Sequence, residues 1–198
     1  MSFRVVGSRL LIAASIMCAG CARVRNEAPA VDNTACPELD AGRIVDPALL
    51  AFLSRARAAH HIADRHEENK SDDSAIRVLD ELIDGPRPGG QTPSPEVREV
   101  LADTHARLAD LRSQRGQFAE AARHVQQGLE LASEPSYFRG HLFETRGLLE
   151  ERRAKSLSDQ GKTSESAEAT RTALAAFEES MRIQAQVIDK TLHEGDAQ

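Results

Sequence analysis

Gln114-Arg115-Gly116-Gln117-Phe118-Ala119-Glu120-Ala121-Ala122 is the stretch that decides the fold. Gly116 sits where a helical pattern stops, and Phe118 opens another within two residues. A tight helix–helix turn of this kind needs a residue at positive φ, which glycine supplies without strain. The small residues Ala119, Ala121 and Ala122 let the second helix approach its neighbour closely. After them come Val125, Gly128-Leu129 and Leu131, apolar or small at spacings of three and four, as on one face of a helix.

The same arrangement recurs on both sides. Downstream stands Asp159-Gln160-Gly161-Lys162-Thr163-Ser164-Glu165-Ser166-Ala167, continuing to Thr170 and Ala173-Leu174. Upstream stands Glu68-Asn69-Lys70-Ser71-Asp72-Asp73-Ser74-Ala75-Ile76, continuing to Leu79 and Leu82-Ile83. The upstream copy has no glycine at its turn. Helix signals fill the intervals. Asp46-Pro47 is an N-cap acid followed by proline at the first helical position. Leu49, Leu50, Phe52, Leu53, Ala56, Ala59, Ile62 and Ala63 then keep helical spacing until about Glu67. A second helix, about 74–84, stops at Gly85-Pro86. Gly85 to Pro95 holds four prolines and three glycines and reads as an irregular loop. Ser94-Pro95-Glu96 opens helix three, to about 115; helix four runs from about 118 to 132. Ser133-Glu134-Pro135 opens a long helix five, to about 159, and helix six runs from about 164 to 192. No sustained period-two run of β-branched or aromatic residues competes with this reading. The expectation is an all-α domain over 47–192, in antiparallel pairs at about 47–84, 95–132 and 135–192, with a disordered tail at 193–198.

These turns and their flanking residues resemble the tetratricopeptide repeat family. The best unit is about Ala102 to Pro135, with Leu108-Ala109, Gly116-x-Phe118-x-Glu120-Ala121, Gly128-Leu129 and the closing proline, matching the family's unit of about 34 residues. His105 stands where the family prefers a bulky aromatic and Arg112 where it prefers tyrosine. Gly116 and Gly161 lie 45 residues apart, so helix five is expected to be about three turns longer than in one repeat. The resemblance implies a short right-handed superhelix whose groove is lined by the first helix of each pair. Carried onto this chain, the groove positions are Asp103, Ala106, Arg107, Asp110 and Ser113, then Glu151, Arg152, Lys155 and Asp159. Their mixed charge suits a polar partner segment. The long last helix then serves as a cap or pairs with a second copy.

The first 21 residues differ from the rest. Arg4 and Arg9 precede an uncharged apolar run of ten residues, Leu10 to Ala19. A bilayer-spanning helix needs about 20 apolar residues, so this run suits the core of a signal peptide, with its basic end retained in the cytoplasm. Cys18-Ala19-Gly20-Cys21 then resembles the lipobox of bacterial lipoproteins, with Cys18 in place of the usual aliphatic residue. The resemblance implies cleavage after residue 20, acylation of Cys21, and, with Ala22 next, delivery to the periplasmic face of the outer membrane. Residues 21–46, with Pro29, Pro37 and Gly42, read as a lipidated tether reaching roughly 25–30 Å. Cys36 would be left as a lone thiol.

Removing the leader leaves 23 basic residues against 31 acidic, a net charge of about −8. An acidic chain suits neither nucleic acid nor an anionic membrane surface. No nucleophile constellation, phosphate loop or zinc spacing stands out, so neither a cofactor nor a small-molecule substrate is expected. His60-His61-x-x-Asp64-x-His66 places His60 and Asp64 on one helical face, while His61 and His66 point elsewhere. Carboxylates interleaved with arginine, as in Glu150-Glu151-Arg152-Arg153, read as solvated helix faces. Tyr137-Phe138-x-x-x-Leu142-Phe143 gathers three of the mature chain's six aromatics, and these are expected to pack against helices three and four. The sequence thus points to a membrane-anchored adaptor or assembly factor for unidentified envelope proteins. The alternatives are a purely structural subunit of an envelope complex and a metal-dependent enzyme built on His60, His61 and His66.

Overall fold

The computed structural model describes residues 46–195, with side chains to residue 193. Residues 1–45, on which the expected leader, Cys21, Cys36 and all but the last residue of the expected tether fall, and residues 196–198 lie outside the described residues. Six helices follow in order: α1 Pro47–Glu68, α2 Asp72–Asp84, α3 Pro95–Gln114, α4 Phe118–Leu131, α5 Tyr137–Asp159 and α6 Thr163–Gly195. The fold is all-α. No described helix is long and apolar enough to cross a membrane.

The boundaries follow from capping. Asp46 Oδ1 accepts from the Ala48 amide at 2.9 Å, and Pro47 takes the first helical position, whose missing N–H has no partner to lose. Helix α5 starts later than Ser133-Glu134-Pro135 suggested. Its N-cap is Ser136, whose hydroxyl accepts from the Arg139 amide at 3.2 Å. At the other end of the chain α6 continues through Gly195, so residues 193–195 are helical rather than a loose tail.

Each turn between paired helices closes in the same way. Lys70, Gly116 and Gly161 have φ of 56°, 74° and 74°. The amide that follows each bonds back five residues: Ser71 to His66, Gln117 to Arg112 and Lys162 to Leu157, at 2.8, 2.9 and 2.9 Å. This is the Schellman pattern, and it satisfies carbonyls that the end of a helix leaves open. The first turn lacks glycine but not the conformation, since Lys70 adopts it. The three turns lie 46 and 45 residues apart. Both intervals exceed 34, so the second one is not an isolated stretch. Helix α5 has 23 residues against 20 in α3 and 22 in α1, so its length is shared by the first helices of all three pairs. The loop of residues 85–94 lengthens the first interval further.

Consecutive helices pair as α1 with α2, α3 with α4 and α5 with α6. The first helices of the pairs also touch one another directly, α1 against α3 and α3 against α5. The second helices, α2, α4 and α6, make no contacts among themselves. The first-helix layer is therefore the tighter one.

The core is alanine-rich. Phe52, Ala56 and Ala59 of α1 meet Leu82 of α2 and Val97 and Leu101 of α3. Ala63 packs with Ala75, Ile76, Leu79, Leu108 and Leu111. Further along, Ala102 and Ala106 meet Ala132 and Leu142, while Ala109, Ala121 and Val125 surround Leu149. The last pair closes on small residues: Gly140, Gly147 and Ala154, seven apart on α5, lie buried, as do Ala169, Ala173, Ala176 and Ser180 on α6. Ser180 donates to the Gly140 carbonyl at 2.8 Å across this seam. Short side chains allow the two backbones to run close, which makes α5–α6 the most extensive pairing in the array.

Candidate partner-binding face

Counting from the positive-φ residue aligns the three first helices. Arg107 and Arg152 each stand nine residues before their turn, Asp64 and Asp110 six before theirs, and Glu67 and Ser113 three before. These equivalent positions meet across helices. Arg107 of α3 donates to Asp64 at 2.6 Å and to Glu67 at 3.2 Å, and also to the His60 carbonyl at 3.1 Å, all on α1. Arg152 of α5 donates to Asp110 at 2.7 Å and to Ser113 Oγ at 2.6 Å, both on α3. Each arginine therefore clasps the preceding first helix at the same two rungs. The third unit carries Lys155 where the first two carry aspartate, so the series ends there.

The expected groove residues separate into three groups. Ala106 and Ser113 are 1% and 2% exposed, so neither faces a partner. Ala106 is core, and Ser113 donates to the Asp110 carbonyl at 2.8 Å while accepting from Arg152. Arg107, Asp110 and Arg152 are half-buried and committed to the interhelix rungs. Asp103 is half-buried, and Glu151, Lys155 and Asp159 are exposed. Arg57 and His61 of α1, at the positions equivalent to Asp103 and to the arginines, are exposed on the same layer. Sequence reasoning missed Arg57 because the groove positions were carried onto the second and third units only. Ser54, Arg57, Ala58, His60, His61 and Asp64 line an open hollow of about 700 Å³ along α1.

His60 belongs to this framework. Thr104 donates its hydroxyl to the Val100 carbonyl at 2.8 Å, so it can only accept at the 3.0 Å contact with His60 Nε2. Nε2 therefore carries the proton, and Nδ1 accepts from Arg107 at 3.4 Å. Burial pushes the His60 pKa below its ordinary value, Arg107 adds to this, and Asp103 and Asp64 oppose it. With both ring nitrogens engaged, His60 is a structural neutral imidazole. His61 is exposed and His66 half-buried. Among the described residues no group of three or more His, Cys, Asp or Glu is placed to hold a metal ion.

A second polar network lies between α2, α3 and α4. Arg112 donates through Nη2 to Asp80 at 2.8 Å and through Nε to His124 Nε2 at 3.1 Å. His124 must then carry its proton on Nδ1, which it donates to His105 Nδ1 at 3.1 Å. Burial drives both histidines down to about 4. The neighbouring His124 and Arg87 reinforce this at His105, as do Arg112 and Arg123 at His124. Burial also raises the Asp80 pKa, with Arg112 acting against it. His105 and Arg112 are the two residues of α3 that depart from the family's preference, and here they belong to one chain of hydrogen bonds.

No family model matches this sequence, no curated protein matches it, and no solved structure matches it. The chemistry of the site therefore rests on its own geometry. The first-helix layer offers a fixed polar surface, held by two arginine rungs, with exposed charges of both signs. The aromatic group adds little to that surface. Phe138 packs against the cluster of Ala102, Ala106, Ala132 and Leu142, and Arg139 lies 5.3 Å over the Phe143 ring. Tyr137 alone of the three is exposed, stacked on His141 at 6.0 Å.

Proposed function

We propose that this chain is a lipid-anchored, tetratricopeptide-like adaptor of the bacterial envelope that holds a polar segment of a partner protein along its first-helix layer. The observation that carries the proposal is the repeated rung: Arg107 on Asp64 and Glu67, Arg152 on Asp110 and Ser113. A face whose helices are tied in fixed register presents its exposed charges without further ordering, which lowers the entropic penalty of binding an extended partner. Arg57, His61, Glu151 and Lys155 are the exposed groups that would read the partner, and their mixed charge suits a segment carrying both signs. The turn spacings of 46 and 45 residues mean that the likeness is to the family's helix-pair organisation and not to its unit length. The anchor rests on Cys18-Ala19-Gly20-Cys21, following its basic and apolar segments. In this reading the protein positions others and catalyses nothing.

The test expresses the full chain in a bacterium beside Cys21→Ala, with a photocrosslinking residue placed at Lys155 or, as a control on the opposite layer, at Arg77. The expected result is a lipid-mass increment and membrane partitioning that Cys21→Ala abolishes. A discrete envelope adduct should form from Lys155 and not from Arg77, and should be lost on Glu151→Lys with Arg57→Glu. A soluble, unlipidated wild type sinks the anchor. Equal adducts from both layers, or none from Lys155, sink the binding face.

A further inference from the structure

Helix α6 repeats a packing position for which the described residues supply no neighbour. Thirteen residues after each turn stand Ile83, Leu129 and Leu174. Ile83 of α2 is packed against the clusters that hold Val97, Leu101, Leu108 and Leu111 of α3. Leu129 of α4 is packed against those that hold Leu142 and Leu149 of α5. Leu174 of α6 is 58% exposed. The second helix of a pair thus uses this face to seat the next helix, and after α6 the described chain offers none.

The bare face is more extensive than one residue. Leu174, Met181, Ile188 and Leu192 recur at spacings of seven, seven and four, and are 58, 66, 58 and 62% exposed. They form a single apolar stripe about 27 Å long at the rise of a helix. Helix α6 has 33 residues where α2 and α4 have 13 and 14, so the stripe runs past the point where its equivalents stop. Four large exposed apolar side chains in one line mark an interaction surface.

The charges beside the stripe select its occupant. Arg171, Glu178, Arg182 and Asp189, spaced seven, four and seven, share one edge and are all exposed. Their signs read plus, minus, plus, minus. Two antiparallel copies of a helix related by a two-fold axis bring like edges together. With that axis level with residue 180, Arg171 meets Asp189 of the second copy and Glu178 meets Arg182 of the second copy. All four contacts in the pair are then between opposite charges, and the two stripes face each other around Met181. A parallel pair in register would set this edge against the opposite one, which carries Thr170, Phe177 and Gln184 and no charge to pair with it.

We propose that the exposed face of α6 is a self-association surface, occupied by α6 of a second copy in antiparallel orientation. The dimer leaves the first-helix layer of each copy open, and it does not depend on the lipid anchor. Sedimentation equilibrium of the purified full chain, in density-matched detergent where needed, should give a monomer–dimer equilibrium with a dissociation constant on the order of micromolar, as for a small interface. Met181→Glu should raise that constant about a hundredfold, because it sets two carboxylates in the apolar seam. Asp189→Arg should raise it about tenfold by facing Arg171 with its like charge, and Arg171→Asp added to Asp189→Arg should restore it. All these positions are exposed, so circular dichroism should report an unchanged fold. A monomer at all concentrations up to about 100 µM overturns the proposal. So does a dimer indifferent to Met181→Glu, or a charge exchange that fails to restore association.

Discussion

Arg152 of α5 donates to Asp110 of α3 at 2.7 Å, in the register in which Arg107 of α3 donates to Asp64 of α1. Both bonds join first helices of successive pairs, and both are only partly shielded from water, with side chains 32% and 36% exposed in the first and 21% and 53% in the second. Charged hydrogen bonds of this exposure contribute modestly. Arg152→Ala is expected to lower unfolding free energy by about 1 kcal/mol, and Arg107→Ala, which also releases Glu67 and the His60 carbonyl, by about 1–2 kcal/mol. Urea unfolding followed by circular dichroism measures both. A double-mutant cycle of Arg152→Ala with Asp110→Ala should return a coupling of about 0.5–1 kcal/mol. A coupling near zero would mean that the rung does not tie the helices.

Lys70 holds φ at 56° where Gly116 and Gly161 do the same work at 74°. A side chain in this region is strained by roughly 1 kcal/mol, whereas glycine is not. Lys70→Gly is therefore expected to stabilise the protein by up to about 0.5 kcal/mol, net of the greater freedom glycine gives the unfolded chain. Gly116→Ala and Gly161→Ala should each destabilise it by about 1 kcal/mol. Nothing lies within 4 Å of a Cβ added at either glycine, so those losses would report backbone conformation and not crowding.

The helices were legible because their ends are written in local chemistry. Asp46-Pro47, Gly85-Pro86 and Ser94-Pro95 each state a boundary within two or three residues, and the structure places boundaries there. The first turn reads in the same register as the others, with Lys70 at the place of Gly116 and Gly161, but it lacks the residue that usually advertises the backbone angle. The groove positions were carried onto the second and third units alone, which left out the pairing of Arg107 with Asp64. The 45-residue interval stands out against a 34-residue unit only until the 46 residues from Lys70 to Gly116 are set beside it. The groove residues were half legible. Helical spacing puts Ala106 and Ser113 near the correct face, but which edge of that face a neighbouring helix covers depends on how tightly the first-helix layer packs. His105 and Arg112 were each visible as departures from a family pattern. Their connection runs through His124 on α4, and no spacing within α3 could have revealed it.

Gly147 lies under Phe177. A Cβ at that glycine would stand 2.5–2.7 Å from three atoms of the ring, too close for either group to remain in place. Phe177 is half-buried, so its ring can yield by swinging outward, at the loss of its packing on α5. Gly147→Ala is expected to destabilise the protein by about 1–3 kcal/mol, the range for overpacking a close contact. Adding Phe177→Leu should recover most of that loss. If the double variant were no better than the single one, the contact between α5 and α6 would not be what limits the side chain at position 147.

The His105–His124 pair should make the protein acid-sensitive in a defined window. Both imidazoles are neutral in the fold, with pKa values brought down to about 4 by burial and by neighbouring positive charge, against about 6.5 in an unfolded chain. Between those values the unfolded state binds more protons than the folded one. Stability therefore falls as pH drops from about 6.5 toward 4, by up to about 1.4 kcal/mol per pH unit for each histidine. Above 6.5 both states are neutral at these rings, and the pair contributes no slope. His124 donates Nδ1–H to His105, and Arg112 occupies the other nitrogen, so protonating either ring breaks one of these bonds as well. His105→Gln, which keeps an acceptor for His124, removes one titrating group and should flatten the slope between pH 6.5 and 4 by about half. Thermal or urea unfolding at intervals of half a pH unit would show this directly. An unchanged slope in His105→Gln would mean that carboxylates elsewhere, and not this pair, set the acid limit of the fold.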